Sequence, residues 1–180
     1  MPPMPPNLSR PNRRAANGDD IAKLADTLGS RNGLERQHAR EALIALGEAA
    51  IPALIAALGD ERVHVRWEAA KAFTVLPVGS AAEALVGALE DEDGDIRWLA
   101  AEALTTMKRH GLEALLGALI QRSDSVWLRE GAHHVLHSLR ETDLKHIAAP
   151  VLTALENYAP DLAVPFAAEQ ALNTLGTVPE

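Results

Sequence analysis

Residues 65–73, VRWEAAKAF, return thirty-one residues later as IRWLAAEAL at 96–104. Each copy leads into an Ala/Leu-rich run, the first closing at Leu89 and the second at Leu119. A unit has been repeated, and its internal spacing states the fold. Val65, Ala69, Ala72, Phe73 and Leu76 fall at the 3.6-residue period and predict one apolar helical face. Pro77 and Gly79 break that helix, and Ala82, Leu85, Val86 and Leu89 predict a second. A hairpin of two such helices cannot bury both stripes alone, so neighbouring hairpins must stack as in a solenoid.

Working outward, the same phase runs through most of the chain. Arg36, Arg66, Arg97 and Arg129 follow one another at intervals of 30, 31 and 32 residues. Each is followed at +3 by an alanine (Ala39, Ala69, Ala100, Ala132) and at +7 by a large apolar residue (Leu43, Phe73, Leu104, Leu136). The second half recurs as PALIAAL ending at Leu58, EALVGAL at Leu89 and EALLGAL at Leu119. Asp60, Asp91 to Asp95, and Ser123 to Asp124 precede the first helices of their units and are read as N-caps. The units are placed at 29–58, 59–89, 90–119 and 120–158. In the last of them Pro150 predicts a kink, a turn is expected near Thr142 to Ala148, and a helix from there to about Tyr158. Single helices are predicted before and after, at 19–28 and 161–175. Asp19 and Asp20 suit the start of the opening helix, and Gly29 ends it. In the closing helix VPFAAEQALNTL echoes VRWEAAKAFTVL, which makes it a helix of the first type, and Gly176 ends it. About ten helices result, in one domain spanning 19–176.

Composition narrows the function. Hydrophobic residues form 47% of the 180, but aromatic residues only 3%, so Leu and Ala must build the core. The absence of cysteine removes disulfides, thiolate metal sites and a Cys nucleophile, and is compatible with a reducing cytoplasm. No secretory h-region and no run near the roughly 18 apolar residues of a membrane span is present, so a cytoplasmic protein without membrane contact is expected. Net charge is −8, and since residues 1–17 hold Arg10, Arg13 and Arg14 but no acid, the rest sums to −11. So acidic a body repels a phosphate backbone, which excludes nucleic acid as a first expectation. Residues 1–18 are Pro-rich and aperiodic, as a disordered solubilising tail or a Pro/Arg recognition arm would be.

VRWEAAKAF and IRWLAAEAL, each followed by an Ala/Leu helix, resemble HEAT-like repeats of the phycobilisome-lyase type over roughly Asp19 to Leu175. The short unit selects that subtype over ordinary HEAT or armadillo units of about 40–47 residues. The resemblance implies an all-α, right-handed α-solenoid of stacked helical hairpins, first helices outside and second helices lining a concave face. It also implies an Arg–Asp ladder between successive repeats, a structural reading of the arginine series. Among activities known in such repeats, bilin attachment lacks any lyase-specific signature in this chain. A di-iron hydroxylase needs His-Glu pairs, where this chain reads Gln37-His38, Trp67-Glu68, Trp98-Leu99 and Glu130-Gly131. A HEAT-like DNA glycosylase needs a basic concave face, and Glu83 and Glu113 oppose that.

Candidate sites follow from the same register. On the second helices, Ala56, Gly87 and Gly117 form a floor of small residues edged by Glu83 and Glu113, open to a partner helix or serving close packing of adjacent helices. Trp67 and Trp98 point away from the buried direction of the first helices, either as an exposed aromatic contact patch or as cover for their neighbours. His133 and His137 stand i,i+4 with Glu130 and His134 near, but no third metal ligand is evident, so a solvated face is expected and no metal. No catalytic set stands out, and no cofactor is expected. The function expected is a non-catalytic scaffold or adaptor, a monomer or part of a hetero-complex, binding a protein on its acidic concave face. The alternative is a bilin-lyase-like subunit acting on a chromophore-bearing protein.

Overall fold

A computed structural model describes residues 18–177. The tail expected at 1–18 lies outside them except for Gly18, which opens the first helix. All regular structure among the described residues is helical: α1 (Gly18–Thr27), α2 (Gly33–Leu46), α3 (Ile51–Ala57), α4 (Val63–Phe73), α5 (Ala82–Ala88), α6 (Gly94–Thr106), α7 (Arg109–Gln121), α8 (Val126–Ser138), α9 (Lys145–Leu155) and α10 (Pro160–Thr177). No helix among them is long and apolar enough to cross a membrane.

The repeat register places the core. The +3 alanines Ala39, Ala69, Ala100 and Ala132 are buried, as are Leu43, Phe73, Leu104 and Leu136 at +7. A small side chain at +3 lets helices approach closely, and the large one at +7 fills the space between layers. α2 packs on α4, α4 on α6, and α6 on α8, forming one row of helices. Behind that row, α5 packs on both α6 and α7, and α1 on both α2 and α3.

Local signals act where their chemistry allows. Asn32, Asp93 and Ser125 cap α2, α6 and α8, each side chain accepting from backbone N–H groups of the first turn. The cap of α8 is thus Ser125 rather than Ser123 or Asp124. Asp60 does not cap α4 either. It stands two residues before the N-cap Arg62 and accepts from the Arg62 N–H at 2.8 Å and from its guanidinium. In two units the turn inside the hairpin passes through positive φ eleven positions after the arginine: Gly47 has φ 59° there, and Lys108 has φ 51° at the same register position. In the second unit this position is Pro77, whose ring forbids positive φ. The turn there runs instead through a short 3-10 segment, Gly79–Ala81.

The C-terminal end departs from expectation in two ways. α9 begins at Lys145 and continues through Pro150 to Leu155. Pro150 and His146, whose carbonyl loses its partner, both lie on the exposed side, where that carbonyl is open to solvent. α10 carries Pro165 and Gly176 within it and ends at Thr177. It packs against α7 and α9 instead of following α8 in the row of first helices. Arg109 reinforces this, donating from Nη2 to the Leu175 carbonyl at 2.7 Å. The echo of VRWEAAKAFTVL in its sequence therefore does not place α10. The apolar face that α7 leaves uncovered does.

Candidate functional site

The four register arginines share one contact. Through Nη1 each donates to the carbonyl six residues earlier: Arg36 to Ser30 at 3.0 Å, Arg66 to Asp60 at 2.9 Å, Arg97 to Asp91 at 2.7 Å and Arg129 to Ser123 at 2.5 Å. This ties the start of each first helix to the linker before it, where carbonyls lack helical partners. The rest of each guanidinium meets a different environment.

Arg36 reaches across to Glu68 on α4 at 3.4 Å, and Arg40 also pairs with that carboxylate. Glu68 is buried between them. Arg66 donates to both Asp91 oxygens, at 2.7 and 3.1 Å, and to Glu92 at 3.1 Å. Its guanidinium pKa is raised above the usual arginine value, first by the hydrogen bonds to Asp91. The Arg–Asp step between repeats thus forms at Arg66–Asp91.

Arg97 has neither kind of carboxylate partner among the described residues. The position that holds Asp91 for Arg66 holds Ser123 in the next unit, and the position that holds Glu68 for Arg36 holds Gly131. A side chain at Gly131 has little room, since a Cβ there would come within 2.7 Å of a Leu89 methyl carbon. Besides Asp91, Arg97 Nη1 reaches only the Glu92 carbonyl, at 3.2 Å. No buried polar side-chain atom lacks a partner among the described residues, so the unbonded edge of Arg97 faces solvent. Its guanidinium lies over the Trp127 ring, 4.8 Å from the centroid.

Arg97 also lines a groove of about 250 Å³ between α6 and α8. α6 supplies Arg97, Trp98 and Ala101, and α8 supplies Trp127, Glu130, Gly131 and His134. Trp98 is 53% exposed and Trp127 43%. His134 Nε2 is 2.7 Å from Glu102, which anchors the far end of the groove. The corresponding groove between α2 and α4, about 410 Å³, is lined by Arg36, His64, Trp67 and Glu68. There the cation is already answered from within.

The residues singled out from the sequence distribute unevenly. Trp98 is exposed, but Trp67 is half-buried against the core with Arg40 over its ring at 5.9 Å, so the two do not form an exposed pair. The partner of Trp98 across the groove is Trp127. It stands two residues before its register arginine where the other tryptophans stand one after, so alignment on residue type passes over it. On the second helices, Glu83, Glu113, Ala56 and Gly87 are exposed, and Gly117 is half-buried. Gly87 and Ala84 line a shallow depression with Ile55, Leu58 and Glu90. His133 and His137 have their rings 6.0 Å apart, with His133 Nε2 3.4 Å from Glu156 and His137 against Arg140. No group of three metal-ligating side chains occurs among the described residues.

No family model matches the chain, and no curated protein does. Among solved structures, the crystal structure of an engineered protein is similar: it is 20% identical, with 88% of this chain and 80% of that chain covered and a TM-score of 0.45. A likeness at that level says nothing of function.

Proposed function

We propose that this protein is a non-catalytic protein-binding scaffold, a HEAT-like α-solenoid resembling the phycobilisome-lyase repeat type. The observation that carries the reading is the pair of exposed tryptophans, Trp98 and Trp127, facing one groove on adjacent helices. Exposed indole rings are costly in water and are enriched among the residues that dominate binding energy. Both helices rest on a buried core that includes Ile96, Leu104, Leu128 and Leu136, so little of the surface has to be ordered when a partner arrives.

A second surface is favoured by one feature. Glu83 on α5 and Glu113 on α7 are exposed, as are Ala56 on α3 and Gly87 on α5, as the residues of an acidic, low-relief floor for a partner helix would be. In the solenoid reading this is the concave face.

Cross-linking mass spectrometry on complexes from native lysate separates the two surfaces. Wild type is compared with Trp98→Ala/Trp127→Ala and with Glu83→Lys/Glu113→Lys. A stoichiometric partner lost only in the tryptophan variant supports the groove. One lost only in the glutamate variant moves the site to the acidic face. Absence of any stoichiometric partner refutes the scaffold reading.

A further inference from the structure

We infer that the α6/α8 groove takes a carboxylate side chain, Asp or Glu, from an otherwise apolar segment of a partner protein, with Arg97 as its anchor. This rests on the scaffold reading and names the chemistry of the occupant. The chain itself supplies the template. Arg36 is answered by Glu68, and Arg66 by Asp91, each from a neighbouring element. In the α6/α8 groove the acceptor positions of Glu68 and Asp91 hold Gly131 and Ser123, Asp124 stands in register with Glu92 but does not bond Arg97, and the guanidinium keeps an unbonded edge.

Arginine presents several N–H donors in a planar fork, and three of the four register guanidinium positions show what the fork does when unmatched acid is at hand or absent. Arg66 takes Asp91 through two parallel bonds, Arg36 takes Glu68, and Arg97 lies on an indole ring instead. An incoming carboxylate would complete at Arg97 the arrangement already formed at Arg66.

The surroundings restrict the occupant. One exposed ion pair contributes little by itself, so affinity must come from apolar groups laid against Trp98 and Trp127 on either side of the acid. Glu130 lines the same groove, and the chain as a whole carries −8. A run of several acids would be repelled, whereas a single carboxylate within a Debye length of Arg97 is held. The segment is therefore acidic at one position and apolar beside it.

The test pans a phage-displayed library of random short peptides on the full chain. Enriched peptides are then synthesised with and without the acid, as Glu→Gln or Asp→Asn, and titrated by tryptophan fluorescence. The expected outcome is enrichment of one carboxylate flanked by apolar residues, with about a twofold to fivefold loss of affinity in the amide analogue. Trp127→Ala removes an exposed side chain and leaves the core intact, and Arg97→Lys keeps the charge while removing the fork. Both weaken binding. Three results overturn the inference: no enriched peptide, binding indifferent to the amide change, or binding unaltered in both variants. Peptides that survive these variants but are lost in Glu83→Lys/Glu113→Lys also overturn it, while leaving the scaffold reading standing.

Discussion

Replacing Glu68 by alanine tests whether the carboxylate is structural in the α2/α4 groove. Its side chain is 5% exposed and accepts from Arg36 and Arg40, which are 23% and 15% exposed. Removing one member of a fully buried ion pair costs about 3–5 kcal/mol, because a charge is left stranded. Here both arginines reach water, and Arg36 keeps its bond to the Ser30 carbonyl, so part of that penalty is relieved. The expected loss for Glu68→Ala is about 2–3 kcal/mol, and for the isosteric Glu68→Gln about 1–2 kcal/mol. The assay is urea unfolding, where the midpoint should fall at constant slope. Added salt should change the difference little, since a shielded pair is screened less than an exposed one. A cycle with Arg36→Ala should show coupling of about 1 kcal/mol or more. A loss below about 0.5 kcal/mol, the value of an ordinary surface pair, would refute the reasoning. So would full additivity in the cycle.

Two further outcomes follow from the structure. The Asp60 carboxyl is held down to about 2, chiefly by its hydrogen bonds to the Arg62 guanidinium, against a usual value of 3.8. A lowered folded-state pKa contributes stability above the unfolded value and loses it as pH falls through the folded one. That small contribution, in an exposed pair, should fade between about pH 4 and 2, and the Asp60 pKa should rise in Arg62→Ala, which keeps only the backbone N–H of residue 62 as donor, as followed by carboxyl-carbon NMR. Lys108 occupies positive φ at the register position where Gly47 stands in the first unit, so Lys108→Gly should raise stability by about 1 kcal/mol in thermal unfolding, and a loss would show that this turn carries no strain.

Helices, their phase and most of the core were legible in the sequence, because they depend on residues a few positions apart. A period of 3.6, repeated four times around an arginine, is enough to say that Ala69 and Phe73 face inward and that Pro77 ends a helix. The arginines were read as a structural ladder, with an anion site as the alternative, and their bonds to carbonyls six residues back come from that same local register.

The groove was decided elsewhere. Whether an arginine has a carboxylate depends on the residue that the next unit, on its helix or on the linker before it, presents some thirty positions away: Glu68 opposite Arg36, Asp91 opposite Arg66, Gly131 and Ser123 in the corresponding places for Arg97. Burial of tryptophan was set the same way. Trp67 and Trp98 occupy the same place in nearly the same motif, yet α2 lays Arg40 over Trp67, while Trp98 has Ala101 and Trp127 for neighbours in its groove. α10 likewise carries a first-helix pattern and packs on α7. Periodicity states which face of a helix is apolar, but only the identity of the neighbouring helix states what that face and its reverse will meet.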